Sequence, residues 1–160
     1  MKWHIQSKTL LTNLSELQAI LFQNRAIANS QEFFAPPSPL KIELSSLGIS
    51  KQTVTTIKKR LLQAKKLGEK IIIFGDYDAD GICATAVLWQ SLHAEGYIVL
   101  PFIPNRLRHG YGLSKKALKD LLSNHPDTKL IITVDNGIVA HQALAFLAQR
   151  KIDVIISDHH

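Results

Sequence analysis

The sequence predicts an α/β fold: a parallel β-sheet with helices on both faces, preceded by a small, mainly helical N-terminal region. Two observations lead to this prediction. From about residue 70 onward, short apolar runs of β-prone residues alternate with helical segments, which is typical of βαβ units on a parallel sheet. Three of these runs end in aspartate, as expected where parallel strands deliver ligand-binding groups to one edge of the sheet.

The N-terminal part, residues 1–49, is expected to be a lead-in region distinct from the α/β domain, which we assign to residues 50–160. A helical pattern covers about residues 11–27. Three prolines between positions 36 and 39 then mark a linker or a turn-rich connection, because proline interrupts both helices and strands.

Helices and strands alternate through the domain. Its first helix is expected to begin after a Ser50 cap and to end before Gly68, since glycine readily adopts the left-handed conformation that closes helices. The following elements are predicted in order: strand 71–74, helix 82–95, strand 97–103, helix 115–124 capped by Ser114, strand 129–134, helix 138–150 and strand 152–157.

Composition excludes several classes of protein. Hydrophobic residues make up 46% and charged residues 20% of the chain, which is near the average of globular proteins and argues against disorder throughout. Cys83 is the only cysteine, so the chain cannot hold a disulfide framework and suits a reducing, cytoplasmic location. The apolar runs are far shorter than the ~20 residues that span a membrane.

Charge is unevenly distributed between the two halves. Residues 1–70 hold 11 Lys and Arg against 4 Asp and Glu, whereas residues 71–160 hold 8 against 9. Several of the basic residues fall in the helix predicted after Ser50, where they form either a solvated face or a surface that attracts a phosphate backbone.

The first acidic strand end carries three carboxylates at alternate positions, Asp76, Asp78 and Asp80, followed by Gly81. Ionised carboxylates in a confined site repel one another, so a cation is expected among them, and Mg²⁺ or Mn²⁺ prefers such oxygen ligands. A calcium loop of the EF-hand type is the alternative. It requires a glutamate at position twelve, where this chain has Val87.

Two further strand ends are acidic. Asp135 follows one predicted strand, and Asp158, His159 and His160 follow another. In a parallel sheet these groups meet at the same edge as the first motif, and a mixed Asp/His cluster suits Mn²⁺ or Mg²⁺ better than structural zinc. Taken singly, the Asp135 segment also fits an ordinary turn, and the paired histidines also fit a solvated tail.

The motifs at 76–81, 133–138 and 158–160 resemble, in order and spacing, the motif set of the DHH phosphoesterase superfamily. The segment 104–114, Pro-Asn-Arg-Leu-Arg-His-Gly-Tyr-Gly-Leu-Ser, resembles the RecJ branch of that superfamily, the 5′-to-3′ single-strand-specific DNA exonucleases. The resemblance covers about residues 68–160 well and the preceding part more weakly.

The resemblance implies a DHH-type, Rossmann-like sheet and a cofactor of two Mn²⁺ or Mg²⁺ ions. Implied metal ligands are Asp78, Asp80, Asp135 and His159, with Asp76 and Asp158 as neighbouring or additional ligands. Implied catalytic residues are Asp78, Asp80, Asp135, His159 and His160. The implied partner is single-stranded DNA, and no membrane is involved.

Family members continue well beyond their third motif, so this chain is expected to be a truncated N-terminal part of the domain. Two alternatives to an exonuclease remain open at this point. One is a family phosphodiesterase for short oligonucleotides or cyclic dinucleotides, or a pyrophosphatase. The other is a remnant that binds metal without turnover.

The segment 104–114 supplies the candidate substrate-binding residues Arg106, Arg108, Tyr111 and Ser114. Arginine contacts phosphate through two parallel hydrogen bonds, tyrosine stacks on bases, and a helix N-terminus offers donors to anions. The alternative is an ordinary surface loop in which Ser114 serves only as a helix cap.

Overall fold

The structure is a computed structural model that describes residues 13–160. The chain divides into two compact units, of which the first extends to Ser50 and the second comprises Lys51–His160. In the described part, no helix is long and apolar enough to cross a membrane.

The first unit is helical where it is described. Helix α1 spans Leu14–Asn24 and α2 spans Ser30–Phe34, and two short 3₁₀ turns follow at Pro39–Lys41 and Leu44–Leu47. The predicted helix at 11–27 therefore ends earlier than expected, and its first two residues lie outside the described part. Phe22, Phe33 and Phe34 pack edge to face with ring centroids 5.5–5.6 Å apart, so an aromatic cluster joins α1 to α2.

The second unit is built on a parallel sheet, as predicted. Its strands and helices alternate in the order α3 (Lys51–Leu67), β1 (Lys70–Phe74), α4 (Ala79–Ala94), β2 (Val99–Phe102), α5 (Arg106–His109), α6 (Lys115–Asn124), β3 (Thr128–Val134), α7 (His141–Ala148) and β4 (Asp153–Ser157). The spatial order of the strands is β2-β1-β3-β4, and every neighbouring pair is parallel.

Helices cover both faces of the sheet. On β1, Ile72 and Phe74 point into a core with α6 and α7, whereas Ile71 and Ile73 point into a second core with α3 and α4. This alternation follows from the period of two along a strand, and it explains why β1 is apolar at successive positions. All four of these side chains are at most 1% exposed.

The strand order reverses direction beside β1. The chain runs from β1 through α4 to β2 on one side, then crosses β1 and adds β3 and β4 on the other side. The carboxyl ends of β1 and β3 therefore flank a topological switch point, which is where open parallel sheets bind their ligands.

Helices α4 and α7 begin at residues other than those predicted from the sequence. Helix α4 begins at Ala79, three residues earlier than predicted, because the Asp78 side chain accepts a hydrogen bond from the Gly81 N–H and caps the helix. Helix α7 begins only at His141, because Asp135 and Gly137 have φ angles of 62° and 115° and hold the preceding segment in a loop.

Helix α3 is tied to the amino ends of two strands by Arg60. Its guanidinium lies 2.6 Å from Asp153, the first residue of β4, and 2.7 Å from Glu69, and it also donates to the Lys129 carbonyl at 3.5 Å. The side chain is only 15% exposed. Burial alone would lower the pKa of Arg60, but hydrogen bonds and charge from Asp153 and Glu69 raise it. The guanidinium therefore stays charged and holds α3 against the sheet.

Replacing Arg60 with alanine is expected to lower the free energy of unfolding by about 2 kcal/mol, because a partly buried charged network loses its centre. Urea denaturation monitored by circular dichroism measures this change. The matched control is Lys65→Ala on the same helix, whose ammonium lies 3.9 Å from Glu95 and 5.3 Å from the centroid of the Tyr97 ring. Because these contacts are long and exposed, the control should lower the free energy of unfolding by less than about 1 kcal/mol. Equal losses in the two variants would show that Arg60 is an ordinary surface charge.

Candidate metal centre

The carboxyl ends of β1, β3 and β4 bring the acidic motifs and the terminal histidines to one edge of the sheet. The register pairs Phe74 with Thr133 and Val134 with Ser157, so the residues after these strands leave the sheet at the same level. The Asp135 N–H also donates to the Ser157 carbonyl at 2.9 Å, which continues the ladder by one step.

The loop after β1 places its three carboxylates in different surroundings. Asp76 is 1% exposed and accepts a hydrogen bond from the Tyr77 N–H at 2.7 Å. Asp78 caps α4, and Asp80 lies exposed in the first turn of that helix. Gly81 makes the tight loop possible, because a Cβ at this position would lie 2.6 Å from the Asp76 backbone nitrogen.

The loop after β3 holds Asp135 in the left-handed region, with φ at 62°. Aspartate and asparagine tolerate this conformation better than most residues. The next residue, Asn136, is buried, and its Nδ2 donates to the carbonyls of Val134 at 2.9 Å and Phe74 at 3.4 Å. Asn136 thus bridges the ends of β1 and β3 and fixes the exit of both strands beneath the acidic groups.

The residues after β4 complete the cluster through two Asp–His pairs. His159 Nε2 lies 2.8 Å from Asp135 Oδ1, and His160 Nδ1 lies 2.6 Å from Asp158 Oδ1. The two imidazole rings stack with centroids 4.4 Å apart. Asp158 Oδ2 accepts from the Ile138 N–H at 3.0 Å, so the β3 loop and the β4 end support each other.

Asp158 is held as a carboxylate. Burial alone would raise its pKa, but hydrogen bonds from Ile138, His160 and His159 outweigh burial and lower the pKa to about 2. Conversely, the hydrogen bond to Asp158 raises the pKa of His160, and the charges of Asp135 and Asp76 act in the same direction. Asp158 therefore orients the His160 ring and favours its protonated form.

Ligand atoms of Asp135, His159 and His160 lie within 4.8 Å of one another, close enough to hold one metal ion. One carboxylate and two imidazoles form a donor set that suits a first-row divalent metal. Asp80 lines the same cleft as Asp135, Asp158 and His159, and the cleft has a volume of about 640 Å³ with apolar walls from α4. Of the acidic groups after β1, Asp80 is therefore the one that shares a cleft with the Asp/His pairs.

Two of the candidate substrate-binding residues contact Tyr77, which lies between Asp76 and Asp78. The Arg106 guanidinium lies over the Tyr77 ring, 5.1 Å from its centroid, and the Tyr111 ring meets Tyr77 edge to face at 6.0 Å. The charge of Asp76 raises the pKa of Tyr111, and burial and a hydrogen bond to Asp76 add to this effect. Arg106 and Tyr111 therefore lie next to the first acidic motif.

The other two candidates make contacts within their own segment. Arg108 pairs with Asp120 of α6 at 2.8 Å. Ser114 caps α6, where its Oγ accepts from the Ala117 N–H at 3.1 Å, and it donates to the His109 carbonyl at 2.8 Å. Contact of either residue with a phosphate would compete with these interactions.

The basic helix α3 meets the opposite edge of the sheet, since Arg60 binds the first residue of β4.

Sequence reasoning did not single out Tyr77. Its position between two candidate metal ligands was the available signal, but the contacts with Arg106 and Tyr111 depend on the tertiary structure.

Comparison with known proteins points to one family. Residues 70–160 match the DHH family, N-terminal domain. The chain is 42% identical over 100 residues to the single-stranded-DNA-specific exonuclease RecJ of Thermus thermophilus, covering 62% of this chain and 15% of the relative. It is 31% identical over 160 residues to the RecJ of Escherichia coli, covering 97% of this chain and 26% of the relative.

A solved structure of exonuclease RecJ bound to manganese is similar with a TM-score of 0.58 and 41% identity, over 64% of this chain and 26% of the other. RecJ from Thermus thermophilus in complex with Mn²⁺ is similar with a TM-score of 0.51 and 35% identity, over 64% of this chain and 14% of the other. The chain thus spans about a quarter or less of these proteins. The family model matches more than half of the chain, including every strand end that carries an acidic motif, and the chain therefore belongs to the DHH family.

Proposed function

We propose that this chain is the N-terminal part of a metal-dependent phosphodiesterase domain, and that the protein degrades single-stranded DNA from its 5′ end in recombination and repair. The observation that carries the proposal is the convergence of three acidic strand ends at the switch point of a parallel sheet. The similarity to RecJ exonucleases from several bacteria supports the choice of DNA as substrate. The single cysteine supports a cytoplasmic location.

The residues present fit Mn²⁺ or Mg²⁺, because the group of possible ligands found in the described part of the chain consists of a carboxylate and two imidazoles. Relatives solved with manganese agree with this choice. We assign Asp78, Asp80, Asp135 and His159 as ligands, with Asp76 and Asp158 beside them. Bound ions would supply charge neutralisation and water activation for displacement at phosphorus.

The remaining groups have two tasks: some exchange a proton or orient the group that does, and others bind the DNA strand. His160 lies within reach of the same ion, but we assign it to proton exchange rather than to the ligands: Asp158 holds its ring through Nδ1, which leaves Nε2 to exchange the proton. Arg106 and Tyr111 contact the sugar–phosphate chain and a base beside the first acidic motif. Arg108 and Ser114 would contact phosphate only in exchange for their present bonds, to Asp120 and within the cap of α6 respectively.

The test combines calorimetric titration of Mn²⁺ into the metal-stripped chain with nuclease assays on the same preparation after Mn²⁺ has been added. A 5′-labelled single strand should lose its label first, whereas a 3′-labelled strand should shorten gradually. Duplex DNA, a cyclic dinucleotide and pyrophosphate should remain intact. Cleavage of the small substrates without loss of the strand would favour a small-molecule phosphodiesterase. Tight metal binding without any turnover would show that these 160 residues hold the site but not the whole activity.

A further inference from the structure

Tyr77 occupies a position that the proposed function does not yet use. It lies between the buried Asp76 and the helix cap Asp78, and its ring is half-buried. Two side chains of the segment that follows β2 contact this ring. The Arg106 guanidinium lies 5.1 Å from the ring centroid, and the centroid of the Tyr111 ring lies 6.0 Å from it. The segment 104–114 contains a second arginine, Arg108, which pairs with Asp120 and not with Tyr77.

The chemistry of these contacts favours a positioning role. An aromatic face attracts a guanidinium, which fixes the direction of the long Arg106 side chain without neutralising its charge. An acidic partner would neutralise that charge, as Asp120 does for Arg108. A guanidinium held by a ring keeps its donors available to a phosphate and loses less side-chain entropy on binding.

We infer that Tyr77 is a positioning residue for DNA binding, whose ring holds Arg106 and Tyr111 beside the first acidic motif so that a bound strand enters in one register. This inference rests on the proposed function and names how that site aligns its substrate. It assigns Tyr77 no contact with the metal and no proton to carry.

The test is a double-mutant cycle on binding of a fluorescent, phosphorothioate-linked oligothymidylate in Mn²⁺, followed by anisotropy. Tyr77→Leu is expected to weaken binding about 5-fold, the scale of one exposed cation–π contact. A plot of the logarithm of the binding constant against the logarithm of the salt concentration should become less steep by about 0.7, which corresponds to one lost phosphate contact. Tyr77→Phe keeps the aromatic face and should restore binding.

In the Arg106→Ala background, Tyr77→Leu should have little further effect, because the ring acts through the guanidinium. The matched control is Tyr97→Leu, which removes a ring beneath Lys65 at 5.3 Å, outside the acidic motifs. That variant should bind the strand as the unchanged chain does. The Mn²⁺ affinity of Tyr77→Leu should also be unchanged.

Additive effects of Tyr77→Leu and Arg106→Ala would overturn the positioning role while leaving the proposed function intact. A Tyr77→Phe variant as weak as Tyr77→Leu would do the same, because it would place the effect in the hydroxyl. If the unchanged chain does not bind the strand at all, the proposed function fails and the inference fails with it.

Discussion

Replacing Gly81 with alanine is expected to destabilise the second unit by about 3 kcal/mol, the upper range for overpacking a close contact. An alanine Cβ would lie 2.6–2.7 Å from the backbone and Cβ of Asp76, so the loop or the helix must move. Helix propensity alone predicts the opposite sign, since alanine is favoured over glycine within a helix by about 1 kcal/mol. Urea denaturation of the metal-free chain shows directly whether Gly81→Ala lowers or raises the free energy of unfolding.

Gly96→Ala provides the control for Gly81→Ala. Gly96 closes α4 with φ at 78°, and a Cβ there would meet nothing within 4 Å. That substitution should lower the free energy of unfolding by only about 1 kcal/mol, because alanine is less stable than glycine in the left-handed conformation. A Gly81→Ala variant that is as stable as the unchanged chain would contradict the close approach of α4 to Asp76. Displacement of Asp76 should also weaken Mn²⁺ binding in Gly81→Ala but not in Gly96→Ala.

Asp135→Asn is expected to reduce Mn²⁺ affinity by at least about 100-fold. Loss of a group that only orients a metal ligand already lowers metal affinity by about 10–100-fold, and loss of a ligand should lower it further. The substitution removes one charge but keeps the size of the side chain, and asparagine tolerates the φ of 62° at this position. The fold should therefore remain intact. Calorimetric titration measures the loss of affinity, and circular dichroism checks the fold.

The control for Asp135→Asn is Asp127→Asn, the same chemical change just before β3 at the opposite edge of the sheet. Asp127 is paired with Lys70 at 2.7 Å and is not part of the group formed by Asp135, His159 and His160. Its Mn²⁺ affinity should equal that of the unchanged chain. If both variants bind Mn²⁺ equally well, Asp135 is not a ligand and the metal site lies elsewhere.

The parallel sheet and its edge of acidic groups were predictable because their signals are local. A run such as Ile71–Phe74 indicates a strand buried on both faces, and the aspartates that follow it must lie at the strand's carboxyl end. The parallel order of the strands then places Asp135 and the terminal histidines at the same edge. Three short patterns thus predicted both the fold and the grouping of Asp135 with His159 and His160.

The differences arise where one residue has two roles or where distant segments meet. The sequence predicts Asp78 as a metal ligand but not as a helix cap, and the cap places the start of α4 three residues earlier. The pairing of Arg108 with Asp120 joins α5 to α6, and no local pattern distinguishes this arginine from Arg106. The left-handed backbone of Asp135 likewise depends on the loop that connects β3 to α7.

The location of β4 links metal binding to partial unfolding. Among residues 13–160, β4 pairs only with β3, and its side chains are half-buried or exposed, so it is held on one side. His159 and His160 follow this strand directly and reach Asp135 only while β4 is docked. An ion bound there would select the docked state by mass action, and it would protect the amide hydrogens of β4 from exchange more than those of β1. The ion would thus stabilise the docked position of this edge strand.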